Sequence, residues 1–197
     1  MVALSFRGRC PAESPAPARP STPAAPATAQ EVVQDEGAAY RAWHDASQAG
    51  DNAKAMAAAK AYIEQYPTGQ YGDFLKKWYG TAQMTALDAA IKEKRTADMI
   101  AVGREILAAD PENLNVLYAL AFNLRLNELM AAPAKFDHAK DAKEFSQKAI
   151  SLVEGGATLA GVQSFNKDAT LGWLYQALAV IEAREGSADE AVKLYEK

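Results

Sequence analysis

Asp110-Pro111-Glu112-Asn113-Leu114-Asn115-Val116-Leu117-Tyr118-Ala119-Leu120-Ala121-Phe122-Asn123-Leu124 holds a turn and a helix in fifteen residues. The Asp-Pro-Glu-Asn cluster breaks whatever helix precedes it. Behind it, Leu117, Leu120, Ala121 and Leu124 recur at spacings of three and four, the period of a helix with one buried face. Ala121 matters because two helices approach closely only where one of them lacks bulk. The stretch therefore predicts a helix that packs tightly against a partner just after a sharp turn.

The same grammar runs from about Glu31 to the end of the chain, and no segment alternates as a strand. Breaks fall at Gly50-Asp51, Pro67-Thr68-Gly69, Arg95-Thr96, Asp110–Asn113, Ala132-Pro133, the Gly155-Gly156 to Gly161 loop and Gly186-Ser187. They divide this part of the chain into about eight helices. Short connections force antiparallel neighbours, so the helices pair as hairpins at about 31–66, 70–109, 112–153 and 166–197, each needing the next to cover its apolar side. Gly80 and Gly103 stand inside two of these helices, where each costs about 1 kcal/mol relative to alanine and hints at close helix approach.

Turn, Leu117, Leu120, Ala121 and Leu124 together resemble the tetratricopeptide repeat family, whose first helix sets large, large, small and large residues at these places. Ala142 and Ala149 match the small positions of the second helix. Tyr175, Leu178, Ala179, Gly186, Ala191 and Tyr195 repeat the pattern in the last unit. The first unit matches through Gly50-Asp51, Ala55 and Pro67, while Trp43 stands where the family has a small residue. The second is long, with Pro67 and Pro111 lying 44 residues apart against a family period of about 34. An insertion-like loop runs from Glu154 to Phe165. The resemblance covers about residues 37–197 and implies an all-α, right-handed solenoid of stacked hairpins. The final helix carries no stop signal before Lys197, so the chain reads as truncated there, with Leu194 and Tyr195 left partly uncovered if nothing follows.

Residues 1–30 are of another kind: six of the nine prolines sit among Ala, Ser and Thr, which predicts a disordered Pro/Ala-rich arm. Ala27-Thr28-Ala29 resembles an export cleavage site, yet no apolar h-region precedes it. Cys10 follows Arg7 and Arg9, a poor context for lipid attachment, and a lone cysteine forms no internal disulfide. The compartment stays open between cytoplasm and export. Net charge is -4 with both signs interspersed, which gives nucleic acid or anionic lipid nothing to follow. No apolar run approaches the length of a membrane span.

The resemblance places the partner-binding groove on Asn115, Tyr118, Phe122, Trp173, Gln176 and Val180, where aromatics and amides suit a peptide or partner protein. Phe122 and Trp173 read equally as core or as groove; the Tyr118 hydroxyl favours groove, since it needs a polar partner or water. Some family members clamp a terminal carboxylate with lysines and asparagines. Here Asn115, Asn123 and Arg125 are available and the lysines are not, which disfavours such a clamp. The chain is thus expected to be a non-catalytic interaction scaffold without cofactor or metal. His44 and His138 are the only histidines, and neither HExxH nor CxxC occurs. Asp137, His138 and Asp141 read as a solvated charged face. One alternative is a spacer or assembly module that self-associates through its last hairpin. A further one is a helical ligand-binding or hydrolytic protein with Glu105 or Asp88 as general base, which a raised carboxyl pKa would mark.

Overall fold

The computed structural model describes residues 29–197, with side chains from residue 36 onward. Of the Pro/Ala-rich arm expected over residues 1–30, Ala29 and Gln30 begin the first helix, and residues 1–28, with Cys10 and most of the cleavage-like Ala27-Thr28-Ala29, lie outside the described residues. These fold into eight α-helices and one π-helical turn, with no strand among them: α1 Ala29–Gln48, α2 Asn52–Gln65, α3 Gly72–Lys92, α4 Thr96–Ala109, α5 Leu114–Leu124, the π-turn Arg125–Leu129, α6 Ala139–Glu154, α7 Lys167–Glu185 and α8 Ala188–Tyr195. No described helix is long and apolar enough to cross a membrane.

Local chemistry explains the boundaries. The side chains of Asp51, Asn113 and Asn166 accept hydrogen bonds from the amides of Lys54 (3.1 Å), Val116 (3.2 Å) and Ala169 (2.9 Å), each three residues on. Every one of these bonds satisfies an amide that a helix start leaves orphaned. Gly186 ends α7 in the left-handed region at φ 90°, which glycine adopts without steric penalty.

Each helix packs on its neighbours in the chain, and α5 also lies against α7. Ion pairs tie alternate helices: Lys60 on α2 reaches Glu105 on α4 at 3.2 Å, and Arg104 on α4 reaches Asp141 and Glu144 on α6 at 2.6 and 2.8 Å. Two cores result. The larger gathers Leu87 and Met99 with Leu117, Leu120, Leu124, Phe145, Val153, Leu174 and Ile181. The smaller holds Trp43, Ala55, Ala59, Tyr62 and Leu75. Trp43 packs edge-on to Phe74 and Trp78 with centroids 5.3 and 5.4 Å away, so the first helix meets its neighbours through a bulky ring.

The two interior glycines part company. A Cβ on Gly103 would lie 2.6 Å from Leu120 Cδ1, so α4 and α5 approach as closely as a glycine allows. At Gly80 a Cβ would meet nothing within 4 Å, and the expectation of close approach fails there. Gly80 instead lines an open cavity between α2, α3 and α4.

Two buried tyrosines close the framework. Tyr62 donates to Glu36 Oε1, which also accepts the Gln70 amide at 2.6 Å and so pins α1 to the turn before α3. Tyr175 donates to Glu154 at 2.5 Å. Burial first, and then these carboxylates, push both phenols from 10.0 up to about 12. Because the folded state holds these protons more tightly, the stability they contribute is whole below pH 10 and drains away as pH rises towards about 12. Alkaline unfolding is therefore expected in that window, accompanied by tyrosinate absorbance, and the Tyr62→Phe/Tyr175→Phe pair should flatten its pH dependence. Ionisation of all tyrosines near pH 10 with the helices intact would contradict the assignment.

Candidate functional site

Helix periodicity sets Tyr118, Phe122 and Arg125 in one row along α5 and the π-turn, and Trp173, Gln176 and Val180 in another along α7. Since α5 and the π-turn both pack on α7, the rows face one another. The Tyr118 and Phe122 rings stack with centroids 5.6 Å apart. Arg125 sits between the rows, its guanidinium carbon 4.4 Å from the Trp173 ring centroid and 5.7 Å from that of Phe122. Its Nε and Nη2 both donate to Gln176 Oε1, at 2.9 and 2.5 Å.

The arginine is 5 % exposed while Trp173 is 44 % exposed, so a largely buried cation lies beneath an open indole. Burial lowers the guanidinium below its ordinary pKa, partly countered by Tyr118 and Tyr195 nearby. Burial also raises the Tyr118 phenol, with Arg125 acting against it. Alongside lies a cavity of about 330 Å³ between α7 and the end of α8, walled by Gly172, Trp173, Gln176, Leu194, Tyr195 and Lys197. That volume is at the small end of ordinary ligand pockets.

Of the six residues expected in the groove, Tyr118, Phe122, Trp173 and Gln176 thus surround one point. Val180 is half-buried and packs on the larger core, as Tyr118 also does. Asn115 is engaged elsewhere: its side chain accepts the Ala160 amide at 2.9 Å and donates to the Ala160 carbonyl at 3.2 Å, fastening the loop before α7. Asn123 donates to the Ala119 carbonyl on its own helix at 2.8 Å.

Two features lie beyond the sequence reading. Arg125-Leu126-Asn127-Glu128-Leu129 takes a π-helical turn, a form that recurs at functional sites because the extra residue redirects side chains. Moreover, His138 does not join Asp137 and Asp141 on a helix face. Its Nδ1 lies 2.7 Å from Glu128 Oε1 and its amide donates to Glu128 Oε2 at 3.2 Å. Asp141 pairs with Arg104. The buried Glu128 thereby anchors the loop that leads into α6.

A second concavity, about 550 Å³, lies between α2, α3 and α4 beside Gly80. Glu105 on its wall accepts from Lys60 (3.2 Å), Tyr79 (3.2 Å) and Gln83 (3.5 Å). Burial alone would raise this carboxyl, but the Lys60 hydrogen bond and charge, with the other two donors, bring it below its ordinary value. A general base or acid working near neutrality needs the opposite shift. Asp88 is exposed on α3.

No protein-family model, curated protein or solved structure matches the chain.

Proposed function

We propose that the chain is a non-catalytic scaffold that binds a peptide or partner protein between α5 and α7, within a right-handed stack of tetratricopeptide-like hairpins. The observation that carries this reading is the pair of facing rows in which Phe122, with Tyr118 stacked on it, and the open Trp173 indole flank a buried Arg125. Aromatics and arginine dominate protein recognition, the aromatics because they give large contact area at low entropic cost and arginine because its planar fork makes several directed hydrogen bonds. The resemblance of residues 110–124 and 175–195 to the tetratricopeptide pattern supports the same assignment. Glu105, one of the two carboxylates considered as a general base, is half-exposed and held below its ordinary value, opposite to the shift that a group working near neutrality needs.

A crosslinking pull-down from native extract tests the proposal. Trp173→Ala removes an exposed ring and leaves the core alone, so the variant should fold as the parent does while its capture of partner falls by about tenfold or more. The spacer reading has one observation in its favour, the open Val192 and Tyr195 on α8, each 56 % exposed. If Trp173→Ala captures the same partners as the parent, while Val192→Glu abolishes a concentration-dependent self-association seen in sedimentation, the spacer reading replaces the groove.

A further inference from the structure

We infer that the bound partner presents an internal acidic side chain, Asp or Glu, to Arg125; this rests on the groove reading above. Buried arginines are ordinarily paired with an acid, because a desolvated charge without a counter-charge is costly. Arg125 has no such partner among the described residues. Its neighbours are two aromatic rings and the amide oxygen of Gln176, which takes two donors on one neutral atom. Nη1 has no hydrogen-bond partner among the described residues. Among them, only Trp43 Nε1 and Ser146 Oγ are both fully buried and unpartnered, so Nη1 retains contact with solvent.

Charge in the adjoining cavity points the same way. Its walls include no Asp or Glu side chain, while Lys197 stands at its edge with Nζ 4.9 Å from the Tyr175 ring centroid. In a chain of net charge -4, the cavity walls carry one lysine and no Asp or Glu side chain, and Arg125 lies beside them against Trp173 and Gln176. A guanidinium fork matches a planar carboxylate, and the flanking rings suit the methylene stem and an apolar neighbour of that acid.

The source is a side chain rather than a chain terminus. Gripping a terminal carboxylate takes several donors around both oxygens, and the two asparagines in reach of this role, Asn115 and Asn123, are committed to backbone carbonyls. One fork, half occupied by Gln176, suits a single carboxylate within an extended segment that continues past it.

The full chain would be used to select peptides from a random displayed library. Alongside it would run Trp173→Ala and Gln176→Glu, the latter an isosteric change that sets a carboxylate on Arg125 from within. Peptides won by the parent should share an Asp or Glu beside an apolar residue, and changing that acid to its amide should weaken binding by about tenfold or more. The Gln176→Glu protein should melt at a higher temperature than the parent and should no longer distinguish acid from amide. Selected peptides without a shared acid would overturn the inference and leave the groove reading standing. Loss of binding on amidating the peptide terminus, with the internal acid dispensable, would likewise overturn it in favour of a terminal carboxylate. A Gln176→Glu protein no more stable than its parent would show that the Arg125 charge is not waiting for a counter-charge. If the parent selects nothing that Trp173→Ala loses, the groove itself is wrong.

Discussion

Replacing Phe145 with alanine is expected to lower the free energy of unfolding by about 3–5 kcal/mol, a large share of the total for a domain of this size. The ring is 1 % exposed in the larger core, so truncation removes apolar contact and leaves a cavity among side chains that cannot fully collapse. It also removes a platform. The guanidinium of Arg104 on α4 lies 5.2 Å from the ring centroid while pairing with Asp141 and Glu144, both on α6 like Phe145 itself. Those pairs are half-exposed and contribute little alone, about 0–1 kcal/mol, so the ring and not the charges should dominate the loss. Phe145→Leu keeps most of the volume and should cost less than about 1.5 kcal/mol. Urea denaturation of the two variants checks the ordering. A loss below about 1 kcal/mol for Phe145→Ala would mean that α6 is not seated on α4 and α5 through this ring.

Much of the fold was legible because its punctuation is chemical. Asp51, Asn113 and Asn166 end up as helix caps through their side-chain oxygens, and Gly186 takes a positive φ, so the residue types that mark a break also make it. The residues of the α5 and α7 rows were named from the tetratricopeptide resemblance, and spacings of three and four place Tyr118 with Phe122, and Trp173 with Gln176 and Val180, on one face of each helix whatever lies opposite. What lies opposite is a different matter. Gly80 and Gly103 look alike in sequence, yet one faces an open cavity and the other the side chain of Leu120. Asn115 shares the periodicity of the groove residues but is captured by a loop that arrives 45 residues later.

The π-turn marks the clearest limit. Arg125-Leu126-Asn127-Glu128-Leu129 has ordinary helix formers and no glycine or proline, so local propensity extends α5 straight through it. Two tertiary demands accompany the wider turn. Arg125 is held against Gln176 and Trp173 on α7, and Glu128 is held by the loop ending at His138. The Arg125–Gln176 contact spans 51 residues and leaves no trace in a local window of sequence. That is why Arg125 stood in the sequence only as one more available cation, when it is the centre of the candidate site.

Tyr62→Ala is expected to cost about 3–5 kcal/mol, but to spend that loss on one end of the molecule. Tyr62 is fully buried in the smaller core, its hydroxyl donating to Glu36 and accepting the Tyr71 amide at 3.0 Å. Truncation opens a cavity, removes the Tyr71 amide's acceptor and leaves Glu36 with the Gln70 amide alone. Helix α3 serves both cores, with Leu75 in the smaller and Leu87 and Ala90 in the larger. Because helices contact chiefly their chain neighbours, the damage has few routes past α3. Hydrogen exchange should therefore show α1 and α2 losing protection while α5, α6 and α7 keep theirs, and unfolding should cease to be a single transition. The candidate site lies wholly on α5, the π-turn, α7 and α8, so capture of partner should survive in the variant. Uniform loss of protection across all eight helices would show instead that the two cores fold as one unit, and that the site depends on a hairpin it does not touch.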